Sequence, residues 1–261
     1  MKRWIATTAA LAAVTAGISP PANAQATADG PVEALERALV PHRGVKASSR
    51  WTMRYVWDKT PYVYLYKISA EFGRGRVVAA DTTYRPGNKH AGAGSFRYVT
   101  FVGREYLQNK HADLPPGKTW VLEKGRRIRP SVQTMIRIDD PASLRAVLAT
   151  TKVKRAAGTY DGTPTTLYEG SITIDELYRA SPASFRIKPQ PKESRAKVSW
   201  RIWFGKDLLP RRVWSSWRSP AIGGDNLDAT NVSDHLLTGW GTRIRITPPP
   251  ADQVAPYEDV D

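Results

Sequence analysis

The chain has 261 residues, a formal charge of +15, 41% hydrophobic and 10% aromatic residues, and no cysteine. That hydrophobic content supports a packed core and excludes the low-hydrophobicity signature of disorder, and the missing cysteine excludes disulfides, thiol catalysis and thiolate metal sites. A chain of this length holds one large or two small domains, and a surface this basic attracts polyanions.

Lys2 and Arg3 precede an apolar stretch from Trp4 to Ile18, followed by Pro20, Pro21 and Ala22-Asn23-Ala24. These are the charged head, apolar middle and A-x-A cleavage site of a secretory signal peptide, predicted over residues 1–24. The run is shorter than the roughly 20 apolar residues a membrane span requires. No cysteine stands at the cleavage point to take a lipid anchor, so the expectation is a secreted, extracytoplasmic protein that is not lipid-anchored and begins near Gln25. Losing Lys2 and Arg3 leaves a formal charge of +13. Outside the cytoplasm the matching polyanions are an anionic membrane surface or a wall polymer, and export argues against nucleic acid as a partner.

Pro31 to Val40 places Val32, Leu35, Leu39 and Val40 near helical spacing, and Pro41 ends that helix. From Arg50 the period becomes two: Trp51, Met53, Tyr55 and Trp57 alternate with Thr52, Arg54 and Val56, and a turn at Asp58–Pro61 leads to Tyr62, Tyr64, Tyr66 and Ile68. This second strand is apolar on nearly both faces, which predicts a central position. Further strands are expected over 76–84 and 96–101, with a hairpin turn at Gly103-Arg104 and a strand entered through Leu114-Pro115-Pro116-Gly117-Lys118-Thr119-Trp120. Asp140-Pro141 is a helix start, an N-cap acid before proline at the first helical position, and Leu144, Val147 and Leu148 give the apolar face of a helix ending near Thr150.

Strands are then expected over 165–168, 198–204, 209–217, 231–237 and 242–247, with a short helix over 174–179. Ile244 and Ile246 alternate with Arg243 and Arg245 in the last of these, and Pro248-Pro249-Pro250 stops it. Segment 181–197, rich in Pro, Lys and Ser, reads as a long basic loop inserted in a single domain over 25–255, with a tail over 256–261. Lys188, Lys192, Arg195 and Lys197 in that loop are the candidate surface contacts for an anion.

Residues placed for catalysis are scarce. His42, His90, His111 and His235 fit neither H-E-x-x-H nor H-x-H spacing for zinc. Asp234-His235 could be an orienting pair, yet no G-x-S-x-G elbow supplies a nucleophile. Asp225, Asp228 and Asp234 miss the calcium-loop pattern. No cofactor and no metal site is expected, and a hydrolase with a dispersed triad is the least favoured reading.

Phe101-Val102-Gly103-Arg104-Glu105-Tyr106-Leu107, the Pro116-Gly117-Lys118-Thr119-Trp120 strand entry, the helix after Asp139-Asp140-Pro141, Gly158 to Tyr168, Gly205-Lys206-Asp207-Leu208-Leu209-Pro210-Arg211-Arg212 and Trp240 to Pro249 together resemble the LolA-like and LppX/LprG-like half-barrel proteins of the bacterial envelope, over roughly residues 31–255. The chain departs from the lipoprotein members in lacking the lipobox cysteine, and the 181–197 loop is long and basic. The resemblance implies a mainly β, α+β fold: a single curved antiparallel sheet, a half-barrel, with helices packed on the concave side around an apolar cavity. Trp51, Met53, Tyr55, Trp57, Tyr62, Tyr64, Tyr66, Trp200, Ile202 and Phe204 are the candidate cavity residues, although large aromatics on strands serve core packing as readily. The expected function is that of a non-enzymatic binding or carrier protein for an apolar or amphipathic envelope ligand. The alternative is a basic interaction or regulatory protein at the wall or membrane surface that uses the barrel as a scaffold.

Overall fold

A computed structural model describes residues 30–92, 94–109, 114–132, 135–185, 187–219 and 228–257; the expected signal peptide, His111 and Asp225 lie outside them. Helix α1 (Pro31–Ala38) begins on proline, whose fixed φ and missing N–H suit the first helical position, and buries Val32, Ala34 and Leu35. Six strands follow: β1 (Arg43–Tyr55), β2 (Tyr62–Gly73), β3 (Arg76–Pro86), β4 (Phe96–Phe101), β5 (Arg104–Asn109) and β6 (Trp120–Lys124). Helix α2 (Pro141–Leu148) leads to β7 (Thr151–Tyr160) and β8 (Thr163–Thr173), and helices α3 (Ile174–Ala180) and α4 (Pro191–Ser194) lead to β9 (Lys197–Phe204), β10 (Pro210–Ser219), β11 (Ala229–Arg243) and β12 (Val254–Pro256).

Among the described residues, these twelve strands form one open sheet in the order β12-β6-β5-β4-β3-β2-β1-β11-β10-β9-β8-β7. Two antiparallel meanders, β1–β6 and β7–β11, are joined where β1 pairs with β11, and β2 is central as its two apolar faces predict. Strand twist and bulges curl the sheet; one bulge lies between Glu71 and Phe72 and another between Gly44 and Lys46. At Gly44 the backbones press so closely that an added Cβ would lie 2.1 Å from the Ala70 carbonyl oxygen.

The hydrophobic core fills the concave side. Leu35 and Leu39 from the first helical segment, Ile136 and Ile138 from the chain before α2, Leu144 and Val147 from α2, and Ile174 and Leu177 from α3 pack onto Val45, Ala47, Ile68, Ala70, Phe72, Trp200, Ile202, Phe204, Val213 and Leu237 of the sheet. The protein is thus a half-barrel with helices in its concavity. Asp140 caps α2 as its sequence predicts, accepting from the Ala142 N–H at 3.0 Å, and Thr173 with Glu176 makes a reciprocal capping box at α3.

Four expectations are corrected. The strand predicted over 242–247 ends at Arg243; beyond it the Ile246 N–H donates to Glu71 Oε2 at 2.7 Å, and Ile246 packs on a second cluster of Val99, Tyr106 and Trp120. The alternation of Ile244 and Ile246 therefore reflects a segment laid across other strands. Strand β7 is absent from the sequence-based reading because Lys152, Val153, Lys154 and Arg155 are all exposed and leave no period-two signal. Segment 181–197 holds a 3₁₀ turn (Pro182–Ser184) and α4, and the hydroxyls of Ser181 and Ser184 both donate to Asp140 Oδ2. Pro256, assigned to the tail, is the last residue of β12, which runs parallel to β6.

Candidate ligand-binding trough

In the β1–β2 ladder Trp51 lies opposite Tyr64 and Met53 opposite Tyr62. Because strand side chains alternate between faces, Ser49, Trp51, Met53 and Tyr55 of β1 share the concave face with Tyr62, Tyr64 and Tyr66 of β2. The helices cover the end of this face built from Val45, Ala47, Ile68, Ala70 and Phe72. Toward the β1–β2 turn the cover stops, and Trp51, Met53, Tyr55, Tyr62, Tyr64 and Tyr66 are only half-buried.

The aromatic rings, half-buried except for the buried Tyr84, form a continuous pavement over four strands. Trp51 and Tyr64 have ring centroids 5.0 Å apart, Tyr64 and Tyr84 5.9 Å, Tyr66 and Tyr84 5.5 Å, and Tyr84 stacks on Phe96 at 5.4 Å. Tyr55 meets Tyr62 edge-on at 5.3 Å. Two polar edges are tied back: the Trp51 indole N–H donates to Asn231 Oδ1 at 3.1 Å and the Tyr84 hydroxyl to the Ala91 carbonyl at 2.8 Å. Burial raises the pKa of Tyr64, Tyr66 and Tyr84 above the usual phenol value, most strongly at Tyr66, so these phenols stay neutral and the pavement carries no charge.

At the inner end of the pavement a cavity of about 320 Å³ is lined by Ser49, Trp51, Tyr66, Met135, Trp217, Ser233 and His235. Larger clefts of about 430 and 500 Å³ lie on the opposite face, beside the charged groups of Arg50, Arg212 and Asp234 and of Lys46, Lys67, Asp81 and Arg97. Charged side chains hold water at the two larger clefts, and the smaller concave cavity has none among its described lining residues, which suits it better to an uncharged ligand.

Trp57 lies past the end of β1, is 60% exposed and stacks on Tyr55 at 5.2 Å. Trp200, Ile202 and Phe204 are fully buried under the helices; they are core residues and do not line the trough, which corrects their place among the cavity candidates. Lys188, Lys192, Arg195 and Lys197 are all exposed, in the segment running from the 3₁₀ turn into β9. Asp234 and His235, adjacent in sequence, point to opposite faces of β11. Asp234 accepts two hydrogen bonds from Arg212, at 2.8 and 2.5 Å, on the convex side, while His235 is buried on the concave side, so the two do not form an orienting pair. Asp228 is held by Arg218 at 2.8 Å, and among the described residues no cluster of His, Asp and Glu is placed to hold a metal ion.

The sequence reading missed Ser49, Met135, Trp217 and His235 as trough residues. For His235 a signal existed, since alternation along β11 puts residues 231, 233, 235 and 237 on one face. Met135 could not be found this way, because it belongs to a segment without periodic structure.

No family model matches the chain and no curated protein matches it. Among solved structures it is similar to a LolA superfamily protein from Nitrosomonas europaea, at 11% identity over 84% of this chain and 93% of that one with a TM-score of 0.29. It is also similar to a DUF1329 family protein from Desulfovibrio piger, at 10% identity over 84% and 96% with a TM-score of 0.27, and to the protein Rv2717c from M. tuberculosis, at 17% identity over 77% and 96% with a TM-score of 0.27. The described residues form an open half-barrel sheet with helices in its concavity.

Proposed function

We propose that the protein is an exported, non-enzymatic binding or carrier protein that takes an apolar or amphipathic molecule of the cell envelope into the concave trough. The observation that carries this reading is the half-exposed aromatic pavement ending in an uncharged cavity. Burying an acyl chain there is worth about 0.8 kcal/mol per methylene, and no charged group on the wall opposes it. A fluorescent long-chain fatty acid should bind saturably at micromolar concentration and be displaced by envelope lipid extract. Trp51→Ala should weaken that binding about tenfold, the loss of roughly 1.4 kcal/mol of ring contact and buried area. Absence of saturable binding by folded protein, of this fatty acid and of an uncharged apolar dye alike, would sink the carrier reading.

A second reading, attachment to an anionic membrane or wall surface, is favoured by the convex face. Exposed Lys46, Arg50, Arg54, Lys67 and Arg85 cross β1, β2 and β3, with Arg50 and Arg85 flanking Leu65 in register. Neighbouring cations are paired, as Arg97 is with Asp81 at 2.7 Å, whereas these five have no ion-pair partner among the described residues. Association with anionic vesicles should collapse between 0.1 and 1 M salt, as the Debye length falls from about 10 to about 3 Å, while ligand retention in the trough persists. Glutamine at Arg50, Arg54 and Lys67 should weaken vesicle association more than glutamine at Lys188, Lys192, Arg195 and Lys197; equal retention in both variants overturns surface attachment through either group.

A further inference from the structure

The trough ends on polar groups that the fold leaves without a use. His235 is 2% exposed and Ser49 6%. They face each other directly across the β1–β11 ladder, and among the described residues both ring nitrogens of His235 and the hydroxyl of Ser49 have no hydrogen-bond partner. The next polar pair on the same face is satisfied internally, Ser215 and Ser233 sharing a hydrogen bond of 2.8 Å. A buried polar group left unmatched is destabilising, and the two residues that carry these three atoms line one side of the cavity.

The chemistry of these atoms restricts what can meet them. A neutral imidazole offers one N–H donor and one acceptor nitrogen, and a serine hydroxyl can do either. A hydroxyl group answers this set, donating to the acceptor nitrogen while accepting from the Ser49 O–H. A carboxylate or phosphate accepts only, and no Lys or Arg lines the cavity to offset the cost of burying the anion. An ammonium fits no better, since no carboxylate lines it.

We infer that Ser49 and His235 form a recognition point for an uncharged hydroxyl group, so that the cavity selects apolar molecules bearing an alcohol over those bearing an acid. This inference rests on the carrier reading of the trough and narrows its ligand class.

The test uses the full mature chain and an uncharged fluorescent probe, N-phenyl-1-naphthylamine, displaced at pH 7.5 by 1-dodecanol or by dodecanoate. Dodecanol should displace the dye at a concentration at least tenfold lower than dodecanoate. Ser49→Ala and His235→Phe should each reduce the preference for the alcohol to less than threefold, read as the ratio of the dodecanol and dodecanoate concentrations that displace the dye from the same variant. The imidazole ¹⁵N resonances of His235 should also shift when dodecanol is added to the native protein. If the dye binds but dodecanoate competes as well as dodecanol, or the preference survives Ser49→Ala, the hydroxyl-recognition inference is wrong while the carrier reading stands. If the dye shows no saturable binding to the native protein, both fall together.

Discussion

Replacing Trp200 with alanine lowers the free energy of unfolding by about 3–5 kcal/mol, a large part of the roughly 5–15 kcal/mol that holds a typical domain folded. Trp200 lies at the centre of β9 with no exposed surface, and its indole N–H donates to Thr150 Oγ1 at 3.1 Å, which ties the sheet to the end of α2. Its ring lies so close to β8 that a Cβ added at Gly170 would come within 2.6 Å of it. Thr150 has its own bond to the Val147 carbonyl at 2.8 Å, so most of the loss is packing. Guanidinium unfolding followed by near-ultraviolet circular dichroism measures the effect; Trp200→Phe should lose clearly less than Trp200→Ala. A midpoint unchanged by the alanine substitution would remove Trp200 from the core.

Acidification from pH 7 to pH 4 costs about 3 kcal/mol through His235 alone, the worth of a displacement of about two and a half pH units. Burial pushes the pKa of this imidazole down from 6.5 to about 4, and the Asp234 charge opposes that only in part. Between those values the unfolded chain takes up a proton that the folded chain refuses. Stability is therefore fully present above pH 6.5 and is lost as the pH falls toward 4. Urea midpoints for the native protein and for His235→Phe at pH 7.5, 5.5 and 4.5 check this: the native midpoint should drop through the interval and the variant's should drop much less. Parallel slopes for the two would show that His235 does not titrate as a buried neutral group. Asp228, whose pKa the Arg218 hydrogen bond lowers, contributes only at the acid end of the same curve.

The strands that form the trough were legible because their two faces differ in the sequence itself. Trp51, Met53 and Tyr55 alternate with Thr52 and Arg54, and that alternation is the concave-to-convex switch. Which end of the aromatic row stays open was not legible, because it depends on where Ile136, Leu144 and Leu177 come to rest, and these sit 70 residues or more downstream of Tyr66. For the same reason Trp200 and Trp51 look alike in sequence and differ in fate. Strand β7 escaped notice because an edge strand with both faces wet needs no apolar period, and β12 because three residues are held in place by β6 and not by their own pattern. His235 looked like half of a catalytic pair through its neighbour Asp234, when the pleat sends consecutive side chains to opposite faces.

The seam between β1 and β11 also fixes the order in which the molecule can be completed. Arg43 pairs with Arg243, and every other rung joins residues nearly as far apart in the chain. Each meander can form from hairpins between sequence neighbours, but the central ladder that joins them cannot close until the last long strand has left the ribosome. Such distant pairing makes folding slow, because the entropy of closing the loop is lost before the contacts that reward it are made. A growing chain therefore remains without its central seam throughout synthesis, and the two edges that later flank it, β1 and β11, are exposed for all of that time. Of the two, β1 emerges first and carries Arg43, Lys46, Arg50 and Arg54 along its length, a row of like charges that discourages pairing with the same strand of another unfinished chain.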